Sequence, residues 1–221
     1  AFENCKSLQN IYVESGNSYF SSVDNALFKK NSSGEEKELV YVPHGCVNLT
    51  IPEKVESISS YAFTHAKLLE NFNVNANNQF FSSFGDQAKC LYSKDKSRLI
   101  KVPALAKGVL TISNDTSTVE EGAFLNTIGG DNGINDIFFS DSLQSISSDE
   151  IRHLNLSKVE NLNIYAITNL GRILDTTLIT SVSVSGTVNT IPESGFAGMT
   201  SLSEVNINEG VEKIGNKAFI N

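Results

Sequence analysis

An irregular set of apolar positions recurs along the chain at a nearly constant period. Counted from Leu202, large apolar residues stand at 0, +3, +5, +9, +12 and +17, and the count restarts at +23. These gaps fit neither the period of a helix nor the alternation of a single strand. The template fits residues 46–63, 134–151 and 179–196 at every position, and residues 107–124 with two exceptions.

A period of this length is the sequence signature of a stacked repeat architecture. Each coil needs a short strand with inward side chains at +3 and +5, and a second inward segment at +9 and +12. One coil cannot bury its own apolar side, so coils stack strand upon strand, about 4.8 Å apart. The sequence therefore predicts a repeat solenoid, mainly β with short turns and helical corners, with truncated copies beginning at Leu8, Leu69 and Val159.

Two coils carry related insertions, at about residues 14–45 and 75–106. Each contains an aromatic pair followed by two serines, then an apolar-aromatic strand, a polar turn and a second strand that ends in Val-Pro. This order predicts an inserted β-hairpin in each of the two coils. Such insertions often form a binding face, and the alternative is that they shield an edge of the solenoid.

The repeat resembles a known family. The pattern LxxIxI…VxxIxxxAF, with Ala-Phe pairs at 1–2, 62–63, 123–124 and 218–219, is similar to the BspA-like, or Treponema-type, leucine-rich repeat. The inward Asn of the ordinary LxxLxLxxN repeat is missing. The resemblance implies a leucine-rich-repeat right-handed superhelix that forms one domain over residues 1–221. It also implies a cell-surface or secreted protein associated with adhesion.

Composition limits the partners that we expect. The net charge is −8, and the chain has only 17 Lys and Arg residues, without a basic run. A nucleic-acid partner is therefore not expected, because neutralisation of phosphates dominates such binding. The longest apolar runs are only a few residues, so the sequence predicts no insertion into a membrane.

Reactive side chains are few and scattered. His65 and His153 share a phase of the repeat, which places them roughly 10 Å apart, too far for one metal ion. We expect both at ordinary surface positions. Cys5 and Cys46 occupy predicted core positions, Cys90 precedes a hairpin strand, and no arrangement suited to a cysteine nucleophile emerges. The sequence therefore predicts no enzyme, no cofactor and no metal site.

The remaining candidate is the outward face of the coil strands, because residues that flank the +3 position point away from the core. The candidate ligand-binding residues are Tyr12, Thr50, Asn71, Asn73, Thr111, Asp136, Phe138, Asn161, Asn163, Ser183, Glu204 and Asn206. Amides and hydroxyls of this kind can hydrogen-bond a peptide or a glycan. An exposed sheet face is also polar simply because it meets water.

The leading functional prediction is a non-enzymatic surface or secreted module that binds a host or matrix protein, or a glycan, through this face. The alternative is a structural spacer that presents another domain of a longer surface protein. Both ends of the chain fall in mid-coil, and solenoids need capping repeats. We therefore expect residues 1–221 to be a fragment of a longer array.

Overall fold

A computed structural model describes residue 2, residues 4–146 and residues 151–220. Ala1, part of the first Ala-Phe pair, lies outside the described residues. The strands and helix are, in chain order, β1 Phe20–Val23, β2 Ala26–Lys30, β3 Glu36–Tyr41, β4 Asn48–Ile51, β5 Ser57–Ile58, β6 Asn71–Val74, β7 Phe81–Phe84, β8 Cys90–Ser93, β9 Arg98–Lys101, β10 Gly108–Thr111, β11 Thr118–Val119, β12 Ile134–Phe138, β13 Ser145–Ile146, β14 Lys158–Leu162, α1 Ile164–Ile173, β15 Ser181–Val184, β16 Thr190–Ile191, β17 Glu204–Ile207 and β18 Lys213–Ile214. They form a solenoid of about eight turns, which confirms the predicted fold class.

The first segment of each coil forms the front of the solenoid. β4 pairs with β6, and β10, β12, β14, β15 and β17 form a five-stranded sheet. All of these pairs are parallel, and in the regular coils partners such as Leu49 and Phe72 lie one repeat apart in sequence. Both occupy the +3 position and both are fully buried. The strand with an inward +3 side chain is therefore confirmed.

The second segment of each coil forms short strands at the back. β5, β11, β13, β16 and β18 have two residues each and end at the +12 position of the template. β11 pairs with β13 and β16 pairs with β18, in both cases in parallel. Val119, Ile146 and Ile191 occupy the +12 position and are buried.

Each insertion forms three antiparallel strands. The predicted hairpins are β2–β3 and β8–β9, and the aromatic-Ser-Ser segments add β1 and β7. The tight turn between β1 and β2 places Asp24 and Asn25 at φ values of 50° and 69°, which Asp and Asn tolerate better than most residues. The last strand of each insertion joins the back of the solenoid, since β3 pairs with β5 and β9 pairs with β11.

The second insertion lies between two hydrophobic cores. Phe81 and Leu91 belong to the first core, together with residues of the coil that begins at Cys46. Tyr92 and Leu99 belong to the second core, which extends to the C-terminal coils. Neighbouring residues of a strand face opposite sides of a sheet, so β8 contributes to both cores.

The coil after β14 contains a helix where other coils have a back strand. The Asn163 side chain caps α1, with Oδ1 accepting a hydrogen bond from the Ala166 N–H at 2.9 Å. The buried residues of α1 are Ala166, Ile167, Leu170 and Ile173, a spacing typical of an amphipathic helix. At the other end, Arg152 donates a hydrogen bond to the carbonyl of Gly171 at 2.6 Å.

Candidate binding surface

The insertions interrupt the front of the solenoid at two places. The turn between β1 and β2 lies beside the first coil, where Asn25 O accepts a hydrogen bond from Ile11 N at 3.2 Å. The segment before β8 lies beside β6, where Lys89 O accepts one from Phe72 N at 3.0 Å. The candidate outward face is therefore interrupted by the insertions. We call the outward side of residues 11–13, β4 and β6 the first patch, within which the turn between β1 and β2 contacts both Ile11 and Thr50. We call the outward side of the five-stranded sheet the second patch.

The first patch holds four of the predicted site residues. Tyr12 is 81% exposed and lies outside the strands, and Asn73 is exposed on β6. Thr50 and Asn71 are half-buried. The side-chain oxygen of Asn71 accepts a hydrogen bond from Lys89 N at 3.1 Å, so the insertion already uses this amide. Tyr12 and Asn73 are therefore the side chains that the first patch presents to solvent.

The second patch brings six predicted residues to one surface. They are Thr111, Asp136, Phe138, Ser183, Glu204 and Asn206, all exposed or half-exposed. Thr111 lies opposite Phe138 across β10 and β12, and Ser183 lies opposite Asn206 across β15 and β17. The Asn206 amide also donates a hydrogen bond to the Glu204 carboxylate at 2.9 Å.

Asn161 and Asn163 do not lie on this surface, and their predicted outward orientation is wrong. Asn161 is only 8% exposed, and its amide donates hydrogen bonds to Phe139 O at 2.7 Å and to the Asp141 carboxylate at 3.0 Å. Asn163 is 4% exposed, and besides capping α1 it donates to Leu143 O at 2.7 Å. The cause is an irregularity of register in β14, after which the chain turns into the helix.

Two outward residues of β14 were missed by the sequence template. The sequence template places Val159 at position 0. In the structure Val159 pairs with residues at the +3 position of both neighbouring strands, so the template is three residues out of phase here. The coil begins instead at Leu156, which is buried and lies one full repeat before Ile179. That spacing is the signal that identifies the correct phase. The outward side chains of β14 are Lys158 and Glu160.

The centre of the second patch is a group of charged side chains. Lys158 Nζ lies 2.8 Å from a Glu160 carboxylate oxygen. The hydrogen bond and charge of Glu160, with smaller contributions from Asp136 and Glu204, raise the pKa of Lys158. Asp136 lies opposite Lys158 on the neighbouring strand, and Glu204 lies two strands away. With three carboxylates and one ammonium group, the centre of the patch is negatively charged and rich in hydrogen-bond acceptors.

His65, His153 and Cys5 differ in exposure, and two of the three depart from the predicted positions. His65 is only 5% exposed, and its Nδ1 lies 2.9 Å from the hydroxyl of Tyr41, so its predicted surface position is wrong. His153 is exposed, with Nε2 at 3.1 Å from Thr127 O. Cys5 is exposed, so its predicted core position is also wrong. His65 and His153 therefore each make a structural contact.

The other two thiols are buried, which for Cys46 is the position that the repeat predicts. Burial raises the pKa of Cys46 and of Cys90 to about 12. In the part of the chain that the structure describes, no group of three or more His, Cys, Asp or Glu residues is arranged to hold a metal ion. The same residues include no helix of the length and apolarity needed to cross a membrane.

The parallel front strands and the stacked coils place this protein in the class of leucine-rich-repeat solenoids. A sequence profile of the BspA type leucine-rich repeat region matches the chain in six copies, over residues 1–84 and 108–221. The chain therefore belongs to the BspA type leucine-rich repeat family. The unmatched residues 85–107 contain β8 and β9 of the second insertion.

Several solved structures are similar to this chain. One is a leucine-rich repeat protein from Eubacterium ventriosum, with 15% identity, a TM-score of 0.45, and coverage of 84% of this chain and 62% of that one. A second is the pneumococcal vaccine antigen PcpA, with 17% identity, a TM-score of 0.48, and coverage of 85% of this chain and 50% of that one. A third is a leucine rich cell surface protein from Faecalibacterium prausnitzii, with 15% identity, a TM-score of 0.38, and coverage of 80% of this chain and 61% of that one. The chain thus spans 50–62% of the length of these proteins. None of the curated proteins matches its sequence.

Proposed function

We propose that this chain is a non-enzymatic binding module of a cell-surface or secreted protein, and that it contacts a host or matrix protein, or a glycan, through the second patch. The observation that carries this proposal is the five-stranded parallel sheet, whose outward side chains are mostly charged or polar, with Val109 and Phe138 as apolar exceptions. Parallel strands hold such side chains in rows about 4.8 Å apart. Extended surfaces of this kind are what solenoid proteins use for binding.

The chemistry of the second patch favours a ligand that offers hydrogen-bond donors. Asp136, Glu160 and Glu204 supply carboxylate oxygens on the strands at and near Lys158. Phe138 supplies an aromatic surface beside them, and aromatic residues are enriched at the centres of interfaces. Sugar hydroxyls, amide groups and cationic side chains all fit this combination. Membership of the BspA type family supports a location at the cell surface or outside the cell.

The test uses a glycan array together with immobilised fibronectin, laminin and collagen as probes. A second-patch variant carries Asp136→Asn, Phe138→Ala and Glu160→Gln. A first-patch variant carries Tyr12→Ala and Asn73→Ala. A control variant carries Glu193→Gln and Glu212→Gln, two exposed residues outside both patches. We expect the second-patch variant to bind at least about tenfold more weakly, since a few central residues carry most of an interface's affinity.

The outcomes separate the candidates. Retention of binding by the control, with loss in the second-patch variant, supports the proposal. Loss only in the first-patch variant moves the site to Tyr12 and Asn73. Binding that survives both patch variants, with unchanged circular dichroism, overturns the role of the front face. Failure to bind every probe favours the structural spacer.

A further inference from the structure

A cleft opens at the back of the solenoid where the second insertion interrupts the regular stacking. β5 pairs with β3 along one edge, and among the described strands none pairs with its other edge. Ile58 on β5 and Phe81 on β7 both occupy the +12 position, in successive coils, yet they belong to different sheets because β7 pairs with β8. The free edge of β5 therefore occurs where a regular solenoid would add its next strand.

The cleft has a volume of about 740 Å³. One wall comes from residues 56–64, and the other contains the buried Phe81 of β7, two residues of β9 and part of the segment 120–125 that follows β11. Its apolar lining residues are Ile58, Tyr61, Phe63, Phe81, Ile100 and Leu125. Tyr61 is 78% exposed and Leu125 is 45% exposed, so the cleft offers a substantial apolar surface to a ligand. Its volume lies within the range of about 300–1,000 Å³ that is usual for ligand-binding clefts.

The charges of the cleft are predominantly negative. Its lining contains three carboxylates and one guanidinium group, from Glu56, Glu120, Glu121 and Arg98. Arg98 is ion-paired with Glu120, and Glu56 is ion-paired with Lys37 at 3.1 Å. Glu121 is exposed and takes part in none of the ion pairs within the described residues. A cationic group that enters the cleft therefore meets a carboxylate which is not already neutralised by an ion pair.

We propose that this cleft binds an extended peptide segment in which Lys or Arg alternates with aliphatic residues. The peptide backbone pairs with the free edge of β5, as in other complexes where a peptide adds a strand to an open sheet edge. Its aliphatic side chains pack on Ile58, Ile100 and Leu125. Its cationic side chains, which point to the other face of an extended chain, lie near Glu121.

Three independent features select this occupant. A free strand edge recognises a peptide backbone in particular, because it offers alternating N–H and C=O groups. The apolar lining selects aliphatic side chains, and the Glu121 carboxylate, which has no ion-pair partner among the described residues, selects positive charge. β5 has only two residues, so the backbone contributes few hydrogen bonds and much of the affinity comes from side chains. This site lies apart from the second patch and does not rest on the proposed function.

The experiment uses the ¹⁵N-labelled chain and an acetylated, amidated hexapeptide of alternating lysine and valine. Saturable shifts of the Ile58, Ser59 and Ile100 amide signals are the expected result. A hexapeptide with glutamate in place of lysine is expected to bind at least about fivefold more weakly, because like charges oppose association. A lysine peptide with proline in place of the central valines is also expected to bind more weakly, since proline lacks an N–H and cannot extend a ladder.

A single-charge variant tests the electrostatic contact. Glu121→Gln is expected to weaken binding of the lysine peptide about threefold, as is typical for one exposed ion pair, and to reduce its dependence on salt. The matched control, Glu209→Gln, changes an exposed carboxylate at the far end of the chain and is expected to bind like the original. The proposal is overturned by equal binding of the three peptides, by shifts confined to the front patches, or by no binding up to about 1 mM, the weak end of specific affinity.

Discussion

Tyr41 and Lys101 occupy the same position in the two hairpin-bearing coils. Each ends the last strand of its insertion and precedes Val-Pro. Both side chains are buried, and both place a polar atom at the corner of the following coil. The Tyr41 hydroxyl lies 2.9 Å from His65 Nδ1, whereas Lys101 Nζ donates to three carbonyl oxygens of residues 122–125. The same position of the repeat thus joins neighbouring coils by a side-chain hydrogen bond in one insertion and by bonds to backbone carbonyls in the other.

Lys101 is expected to be important for stability although it lies far from the front face. Lys101→Met keeps the apolar stem but removes the donor for carbonyl groups that lie 2.5–3.1 Å from Nζ. Buried groups that lose a hydrogen-bond partner typically cost about 1–3 kcal/mol each. We expect the free energy of unfolding to fall by about 2–4 kcal/mol, measured by urea denaturation.

Lys107→Met is the matched control for this prediction, because Lys107 is exposed. Its effect is expected to stay within about 0.5 kcal/mol, as for most surface substitutions. If the two variants unfold at the same urea concentration, the hydrogen bonds of Lys101 do not stabilise the corner.

The three thiols are expected to differ sharply in reactivity. Burial raises the pKa of Cys46 and of Cys90 to about 12, whereas Cys5 is exposed. The thiolate is the reactive form, and at pH 8 such a buried group is thiolate in only about one molecule in ten thousand. Ellman's reagent is therefore expected to modify one thiol per folded chain and three per chain in guanidinium chloride. The variant Cys5→Ser is expected to show no reaction while folded, and rapid reaction of two thiols in the folded protein would contradict this.

Much of the fold could be predicted from the sequence, because each stacked coil must bury apolar side chains at the same positions of the repeat. Leu49 and Phe72 are both buried because they occupy the same inward position in successive coils, and their spacing of one repeat predicts this. The strands that precede the predicted hairpins, β1 and β7, could not be predicted in this way. The run from Phe20 to Val23 has weak alternation, and its pairing with β2 depends on the turn at Asp24 and Asn25.

The candidate site was predictable only where the coils are regular. Ser183 and Asn206 lie side by side, as an unbroken repeat requires. Asn161 departs from the pattern because it adopts a φ of 57° where the register of β14 shifts. An apolar template cannot detect such a shift, since the side chain that turns inward is polar and is satisfied by hydrogen bonds. The interruption of the front face depends on how the insertions fold, which the repeat does not encode.

Asp95 in the turn between β8 and β9 is expected to titrate at unusually low pH. Hydrogen bonds from the Ser93 hydroxyl at 2.7 Å, and from the N–H and hydroxyl of Ser97, lower the pKa of Asp95 to about 2. Because the folded pKa lies below the unfolded value of about 3.9, this contribution to stability is present above pH 4 and is lost as pH falls toward 2. Carboxyl ¹³C titration by NMR measures the pKa, and Ser93→Ala with Ser97→Ala is expected to raise it. A titration near 4 in the original chain would contradict the prediction.

The asparagines of the front coils are expected to divide into structural and exposed groups. Asn163→Ala removes the cap of α1 together with the amide that donates to Asp141 O and Leu143 O. We expect it to lower the free energy of unfolding by about 2–3 kcal/mol, combining the loss of a cap with that of buried hydrogen bonds. Asn73→Ala changes an exposed side chain and is expected to cost less than about 0.5 kcal/mol. Equal and small losses in the two variants, measured by urea denaturation, would mean that Asn163 is not needed to hold the helix on the coil.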